Sequence, residues 1–438
     1  MKYSLAIDIG ATSGRAMLGH YENSDLILEE IHRFDGYQIE RNGHLFWDTN
    51  KIVSEIIKAL CKCKEKGHIP SSLGIDTFGV DYVLLDENDK EVRPVYCYRD
   101  SRTEKSKREF ETLMDVSTLY QKTGVYPQLF NTLYQLYDDK GHDLLQKTKT
   151  IMFLPCYLAY QLTGVKYNEL SIASTSGLLN KDSFYFDKDI LDLLGLEDTI
   201  FAPFKKNGET IGFLKKNIQE EIGFNLEVKN VLSHDTGTGV YGAKVRLNQL
   251  FLSSGTWSLL GVLKENYDTS KESYEAGFTN ELNGYKQVRY LKNIVGMYIV
   301  NRVNQEQTNP LPITEVVELA KKGQNYQEIF DPTQNKFLSP KNMQQAILDD
   351  FEERKRPMPK NLSELYFSIY NSLANCYKES IEEIEMLTHQ KYDSIVIFGG
   401  GSKNQFLNEL TEELTNKKVI VGPSEATSIG NILCQEIK

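Results

Sequence analysis

Three times along this 438-residue chain a short apolar run ends in a turn of glycine and hydroxyl residues. Ile7-Asp8-Ile9 leads into GATSG at 10–14, FL into SSGT at 253–256, and IVIF into GGGS at 399–402. An apolar run closed by glycine reads as a buried strand with open backbone at its end. Glycine lets N–H groups approach an anion, and serine and threonine add further donors. A chain with three such turns is constrained to an α/β fold that binds phosphate at strand ends. The first turn joins two apolar runs in an antiparallel opening, so it is neither a Walker A loop nor a dinucleotide fingerprint. The third precedes a helix from 404, a geometry that seats a base or ribose against backbone. Three consecutive glycines exceed what an ordinary turn needs.

Chemistry concentrates between 231 and 261. An apolar run ends in Ser233-His234-Asp235-Thr236, and Gly237, Gly239, Gly242 and Ala243 then suit a helix packed close to a neighbour. Asp235 fits either a general base or the N-cap of that helix. Asp8 fits a magnesium site reached through water, or a buried or capping acid. Residues 73–86 read as strand, glycine break, strand. There Asp76 and Asp81 lie on either side of Gly79, as acceptors for polyol hydroxyls or as polar turn residues. Asn293 stands where a helix running to about 304 would be capped. Residues 277–291 read as a hairpin about Asn283-Gly284. Helices are expected over 51–66, capped by Asp48 or Thr49, over an amphipathic stretch from 155 to Gly164, and over 362–386.

The length suggests two or three domains. Net charge is −11 and no basic block occurs. Nucleic-acid and anionic-membrane surfaces need clustered Lys and Arg, so neither is expected as a partner. An anionic small molecule held by local loops remains compatible. Six scattered cysteines without a CxxC pair predict reduced thiols. The opening MKYSLAIDIG has no long apolar leader core, and no apolar run approaches the roughly 20 residues of a membrane span. These features predict a cytoplasmic protein.

Taken in order, IDIGATSGR, GIDTFGVDYVLLD, SHDT, SSGTWSL, KNIVG and FGGGSKNQFLN resemble the FGGY carbohydrate kinase family, within the sugar kinase, actin and heat-shock chaperone superfamily. WD at 47–48, YRDSRT at 98–103 and FNTLYQL at 130–136 extend the resemblance over nearly the whole chain. It points to the branch that phosphorylates L-rhamnulose. The resemblance implies two ribonuclease-H-like (actin-like ATPase) α/β domains with the active site in the cleft between them. A sugar-binding domain at 1–240 would precede a nucleotide-binding domain at 241–438. It implies Asp235 as catalytic base, and Gly79, His234, Asp235, Thr236 and Asn293 at the sugar. Ala11, Thr12, Ser13, Gly14, Arg15, Thr256, Asn301 and Gly400 would hold ATP, and Asp8 would act near Mg2+ through water. Phe78 replaces an expected Trp, and Asn301 an expected Gln. Relatives carry further helical sequence after the helix with Gly430 and Asn431, which predicts a less stable nucleotide domain here.

The implied reaction is transfer of a phosphoryl group from ATP to O1 of L-rhamnulose. Such transfer depends on positioning and charge neutralisation. A carboxylate with an ordinary pKa near 3.9 is a weak base, so proton loss from the hydroxyl would come late. Another ketose or polyol, such as L-fuculose or xylulose, is compatible with the same residues. So, with Asp235 and no peptide-binding module weighing against it, is an ATP-switched binding protein. Monomer and homodimer are both compatible with the sequence.

Overall fold

The computed structural model describes residues 2–284, 287–338 and 340–437. The chain folds into two compact units. Unit 1 comprises Met1–Gly242, Lys264–Arg289 and Ala426–Lys438, and unit 2 comprises Ala243–Leu263 and Tyr290–Glu425.

The sheet of unit 1 is built from β1 (Tyr3–Ile9), β2 (Ser13–Glu22), β3 (Asp25–Asp35), β4 (Pro70–Thr77), β5 (Thr210–Phe213) and β6 (Glu227–Lys229). Their order is β5-β6-β4-β1-β2-β3. β1 runs antiparallel to β2 and parallel to β4, and β4 is parallel to β6. β1 is buried on both faces, as a central strand with a parallel neighbour should be. Leu5, Ile7 and Ile9 enter the main core, while Ala6 meets Met17 and Ile432 on the other face. Asp8 shares the Ala6 face by the two-residue period of a strand.

Helix Thr49–Glu65 covers the core with Ile52, Ile56, Ala59, Leu60 and Cys63, and Asp48 caps it by accepting from the Lys51 N–H at 2.9 Å. Helix Leu154–Thr163 ends at Gly164 as expected, but it is not amphipathic. Every residue from Leu154 to Tyr160, and Leu162, is buried, so a one-sided pattern was never required.

The second sheet comprises β7 (Leu250–Ser254), β8 (Trp257–Lys264), β9 (Thr279–Leu282), β10 (Val288–Val295), β11 (Ser394–Phe398) and β12 (Lys418–Val421). Its order is β9-β10-β8-β7-β11-β12. β7 is antiparallel to β8 and parallel to β11, and β11 is parallel to β12. The order β10-β8-β7-β11-β12 thus repeats β3-β2-β1-β4-β6, so one five-stranded plan occurs twice. The expected helix over 362–386 is Leu362–Thr388.

Two local readings need correction. Residues 292–295 belong to β10, and the helix starts only at Tyr298, so Asn293 is a strand residue and not a cap. Asn283 N–H donates to the Gln287 carbonyl at 2.8 Å, which makes the turn longer than a two-residue Asn-Gly hairpin. Residues 285 and 286 of that hairpin lie outside the described residues. The helix Ala426–Gln435 belongs to unit 1.

Candidate active site

In unit 1 the polar residues gather at the carboxyl ends of neighbouring strands. The Phe78 N–H donates to the Ile9 carbonyl at 3.3 Å, and the Thr77 N–H to the Ser233 carbonyl at 3.0 Å. Gly10, Gly79 and His234 therefore follow three adjacent strand-like runs, the usual place for a ligand in such a sheet. The last run is not a full strand: β6 stops at Lys229, and His234 makes a single bridge with Thr77. Glu169 holds this loop. Its carboxylate caps the N–H groups of Ser171 and Ile172 and accepts from Ser233 N–H at 3.2 Å.

Asp235 opens the helix Asp235–Gly242. Its Oδ1 accepts from the Thr236 N–H at 2.6 Å and the Thr236 hydroxyl at 3.2 Å, and lies 3.4 Å from His234 Nε2. A third of its side chain stays exposed, so the carboxylate is open to a ligand. Burial raises its pKa above the ordinary value and Asp8 adds to this, while the Thr236 hydrogen bonds partly offset it. It is therefore a stronger base than an ordinary aspartate.

His234 is buried, and Arg289 Nη2 donates to its Nδ1 at 2.8 Å. Arg289 Nη2 also meets Glu281 Oε2 at 2.9 Å, and Nη1 meets Asn283 Oδ1 at 3.1 Å. Burial alone would raise the pKa of Glu281, but the Arg289 guanidinium beside it holds it below the ordinary value. A Cβ on Gly237 would stand 1.8 Å from Arg289 Nη1, so this glycine makes room for the guanidinium.

On β1 and β4, Asp8 and Asp76 face each other in register. Arg15 Nε and Nη2 both donate to Asp8 Oδ2, at 2.9 and 2.7 Å. Asp76 is fully buried, accepts from Asn431 Nδ2 at 2.6 Å, and leaves Oδ1 without a hydrogen-bond partner. Burial first and the Asp8 charge second push its pKa well up. In the β1–β2 turn, the Gly10 N–H donates to the Ser13 carbonyl at 3.1 Å. Ala11 and Ser13 are half-buried, Thr12 is exposed, and Phe34 fills the place of a Cβ on Gly14.

A Cβ on Gly79 would lie 3.1 Å from Thr175 Oγ1 and 3.3 Å from His234 Nε2. Next to it Val80 has φ +69°, a left-handed conformation that a β-branched residue resists. Thr175 Oγ1 accepts from Val80 N–H at 3.0 Å and Thr132 Oγ1 donates to its carbonyl at 2.5 Å, which holds the strained residue in place. Asp81 is not a free acceptor for a polyol. Its oxygens receive Trp47 Nε1 at 2.6 Å, Tyr98 N–H at 3.0 Å and Gln135 Nε2 at 3.1 Å. Burial nevertheless raises its pKa to about 7. Phe78 stacks beside Trp47 at 4.6 Å and Tyr98 at 5.5 Å between ring centres, keeping an aromatic face.

In unit 2, the turn after β7 and the turn after β11 end neighbouring parallel strands, with Ser253 and Phe398 in register. The Thr256 carbonyl accepts from Gly296 and Tyr298 N–H at 3.1 and 3.2 Å. This ties the turn to the start of helix Tyr298–Gln305, which carries the exposed Asn301. Only part of the triple glycine is free for a ligand. Gly399 has φ +86°, and a Cβ on it would be 2.9 Å from the Ser254 carbonyl oxygen. A Cβ on Gly401 would be 2.1 Å from Ser254 Oγ, whereas one on Gly400 would meet nothing within 4 Å.

The anticipated residues thus fall into two groups. Asp8, Ala11 to Arg15, Gly79, His234, Asp235 and Thr236 lie in unit 1, and Thr256, Asn293, Asn301 and Gly400 lie in unit 2. Sequence reasoning missed Arg289, Glu281, Thr175 and Glu169, whose only signal is their meeting in space. Among the described residues, no group of three His, Cys, Asp or Glu side chains is placed to hold a metal, and no helix is long and apolar enough to cross a membrane. Magnesium held mainly by phosphates and water needs only one or two carboxylates, and the Asp8 carboxylate, oriented by Arg15 on its Oδ2, fits that limited role. All six cysteines are free.

Models of the N-terminal and C-terminal domains of the FGGY family of carbohydrate kinases match residues 3–242 and 250–438. The rhamnulokinase of Halalkalibacterium halodurans is 40% identical over 437 residues, covering 99% of this chain and 93% of the relative. That of Bacillus subtilis is 37% identical over 434 residues, covering 99% and 89%. Among solved structures, gluconate kinase from Lactobacillus acidophilus superposes with a TM-score of 0.82 at 15% identity, over 99% of this chain and 88% of that one. Plasmodium falciparum glycerol kinase with ADP gives 0.79 at 17%, over 99% and 89%. Both halves match in order, on a doubled α/β plan. The chain belongs to the FGGY family of carbohydrate kinases.

Proposed function

We propose that this chain is a rhamnulokinase, transferring the terminal phosphoryl group of ATP to O1 of L-rhamnulose, in the cytoplasm. The observation that carries this reading is full-length similarity to rhamnulokinases at 35–40% identity, joined to an open, basic Asp235. In this reading residues 1–240 supply the sugar site and residues 241–438 the nucleotide site, apart from the β1–β2 turn on the nucleotide side and Asn293 on the sugar side.

Asp235 Oδ1 is occupied by Thr236 and faces His234, so Oδ2 is the oxygen that takes the proton from the O1 hydroxyl. Its raised pKa lets that proton leave earlier than an ordinary aspartate would allow. Gly79, His234, Thr236 and Asn293 orient the sugar. The backbone of residues 11–14, with Arg15 and Thr256, receives phosphate oxygens, and Gly400 and Asn301 border the nucleoside. Asp8 orients water around Mg2+, which when bound neutralises charge on the phosphates. The solved neighbours named for other sugars share only the fold, so the substrate is a separate question for the assay.

The test is ADP release from magnesium-ATP across L-rhamnulose, L-fuculose, L-xylulose, D-xylulose and glycerol, with Asp235→Asn alongside. Turnover greatest on L-rhamnulose is expected, with kcat falling by about 10²–10⁴ in the folded variant. Preference for another sugar would overturn the substrate, and wild-type turnover in the variant would remove Asp235 as base.

A further inference from the structure

The buried chain Glu281–Arg289–His234–Asp235 does more than fill space. Arg289 is fully buried on β10, yet its Nε has no hydrogen-bond partner. Its two terminal nitrogens are committed instead, Nη1 to Asn283 and Nη2 to both Glu281 and His234 Nδ1. A buried guanidinium with an unsatisfied N–H costs stability, so the arrangement is not the one packing alone would favour.

Arginine has donors only. At 2.8 Å, His234 Nδ1 must therefore accept from Nη2, which places the ring proton on Nε2 and leaves the imidazole neutral. Nε2 is the nitrogen that faces both Asp235 Oδ1, at 3.4 Å, and the backbone of Gly79. The remaining groups around the ring fit this state. Ser171 Oγ approaches the His234 backbone N–H at 3.4 Å, Thr175 Oγ1 borders Gly79, and Tyr267 lies toward Glu281 and Arg289. Asp8 and Asp76 carry the other charges near Asp235.

We infer that Arg289 is a positioning residue for proton transfer, locking His234 as the neutral Nε2–H tautomer beside Asp235. This rests on Asp235 being the base. Without Arg289, Glu281 Oε2, 3.3 Å from Nδ1, is left to recruit a proton onto His234. An imidazolium then stands beside Asp235, and a positive neighbour makes that carboxylate a weaker base. Gly237 is the second handle, since a Cβ there would displace Nη1.

The experiment combines 15N–1H correlation of the imidazoles, without sugar, and pH–rate profiles of wild type, Arg289→Met, Gly237→Ala and Glu281→Gln. His234→Gln serves to assign the ring signals. The wild-type His234 is expected as the neutral Nε2–H form at pH 7. Arg289→Met is expected to show a doubly protonated ring. Its kcat should be about tenfold or more below wild type at pH 6.5, narrowing toward pH 9, with KM changing less. Gly237→Ala should move in the same direction, and Glu281→Gln should keep the wild-type tautomer. A wild-type ring protonated on Nδ1 overturns the inference, even if Arg289→Met does not fold. So does a folded Arg289→Met with an unchanged ring and pH profile. The ring spectrum needs no substrate, so failure of every sugar in the panel would strike the rhamnulokinase reading and leave this result standing.

Discussion

At the scale of single residues, the triple glycine separates packing from ligand contact. Gly399 and Gly401 are required by Ser254, whose carbonyl and hydroxyl would collide with any Cβ there. Gly400 faces open space. Gly400→Ala is therefore expected to leave the melting temperature unchanged while raising KM for ATP by about tenfold, near the cost of one badly placed methyl in a pocket. Gly401→Ala should instead destabilise the fold by about 1–3 kcal/mol through overpacking. Melting curves and ATP titrations of both variants check this, and an unchanged KM in Gly400→Ala would remove that residue from the nucleotide site.

At the scale of elements, the helix carrying Asp235 is placed by another helix. A Cβ on Gly242 would sit 1.9 Å from the Ala426 carbonyl oxygen, and one on Gly430 would sit 1.9 Å from that of Thr238. Backbone thus packs on backbone between Asp235–Gly242 and Ala426–Gln435. Gly237, Gly239 and Gly242 have the spacing of a dinucleotide fingerprint, but they lie within a helix, where Gly237 makes room for Arg289 and Gly242 for the Ala426 carbonyl. The second helix is tied to the sheet by Asn431 on Asp76 and by Gln435 Nε2 on the Leu5 carbonyl at 2.9 Å. Gly430→Ala must push the helices apart. It is expected to cost roughly 3 kcal/mol and to lower kcat as well, because Asp235 moves with its helix. Loss of stability with full kcat would show that the base is located independently of this contact.

At the scale of the whole molecule, buried acids give stability opposing dependences on pH. The folded-state pKa of Asp81 is raised to about 7 from 3.8, so its contribution is fully present below about pH 4 and is lost as pH rises through 7. Glu281 is lowered from 4.5 by Arg289, so its contribution is present above 4.5 and is lost as pH falls through its folded-state value. Asp76 and Asp235 act in the same sense as Asp81. Stability is thus expected to fall between pH 5 and 8. Asp81→Asn should flatten that fall, by at most about 3 kcal/mol. The amide oxygen keeps the Trp47 and Tyr98 N–H groups, while its NH2 faces Gln135 Nε2, which Arg102 and the Phe130 carbonyl hold in place, so the variant is expected to be less stable at every pH and its slope is the diagnostic. Melting temperatures of both proteins at pH 5 and 8 decide it; equal slopes would mean that Asp81 is ionised throughout.

How much of this was legible in the chain follows from range. SHDT, the hydroxyl turns, the Asp48 cap and the small residues after Asp235 are local patterns, in which strand ends, caps and close-packing faces are written by neighbours in sequence. Asn293 was misread because a cap and a strand residue look alike when the partner strand is unknown. The amphipathic reading of the stretch from 155 to Gly164 failed because a helix buried nearly all round has no polar face to reveal it. The doubled five-stranded plan left no visible repeat, since matching topology requires only matching hydrophobic alternation and not matching residues. Arg289 reaches His234 across 55 residues, and Asn431 reaches Asp76 across 355. Sequence alone carried the type of chemistry, because side-chain identity sets which groups can donate, accept or ionise. Tertiary structure alone decided their protonation states and which glycines are free, because burial and the partners supplied by distant strands and helices set both.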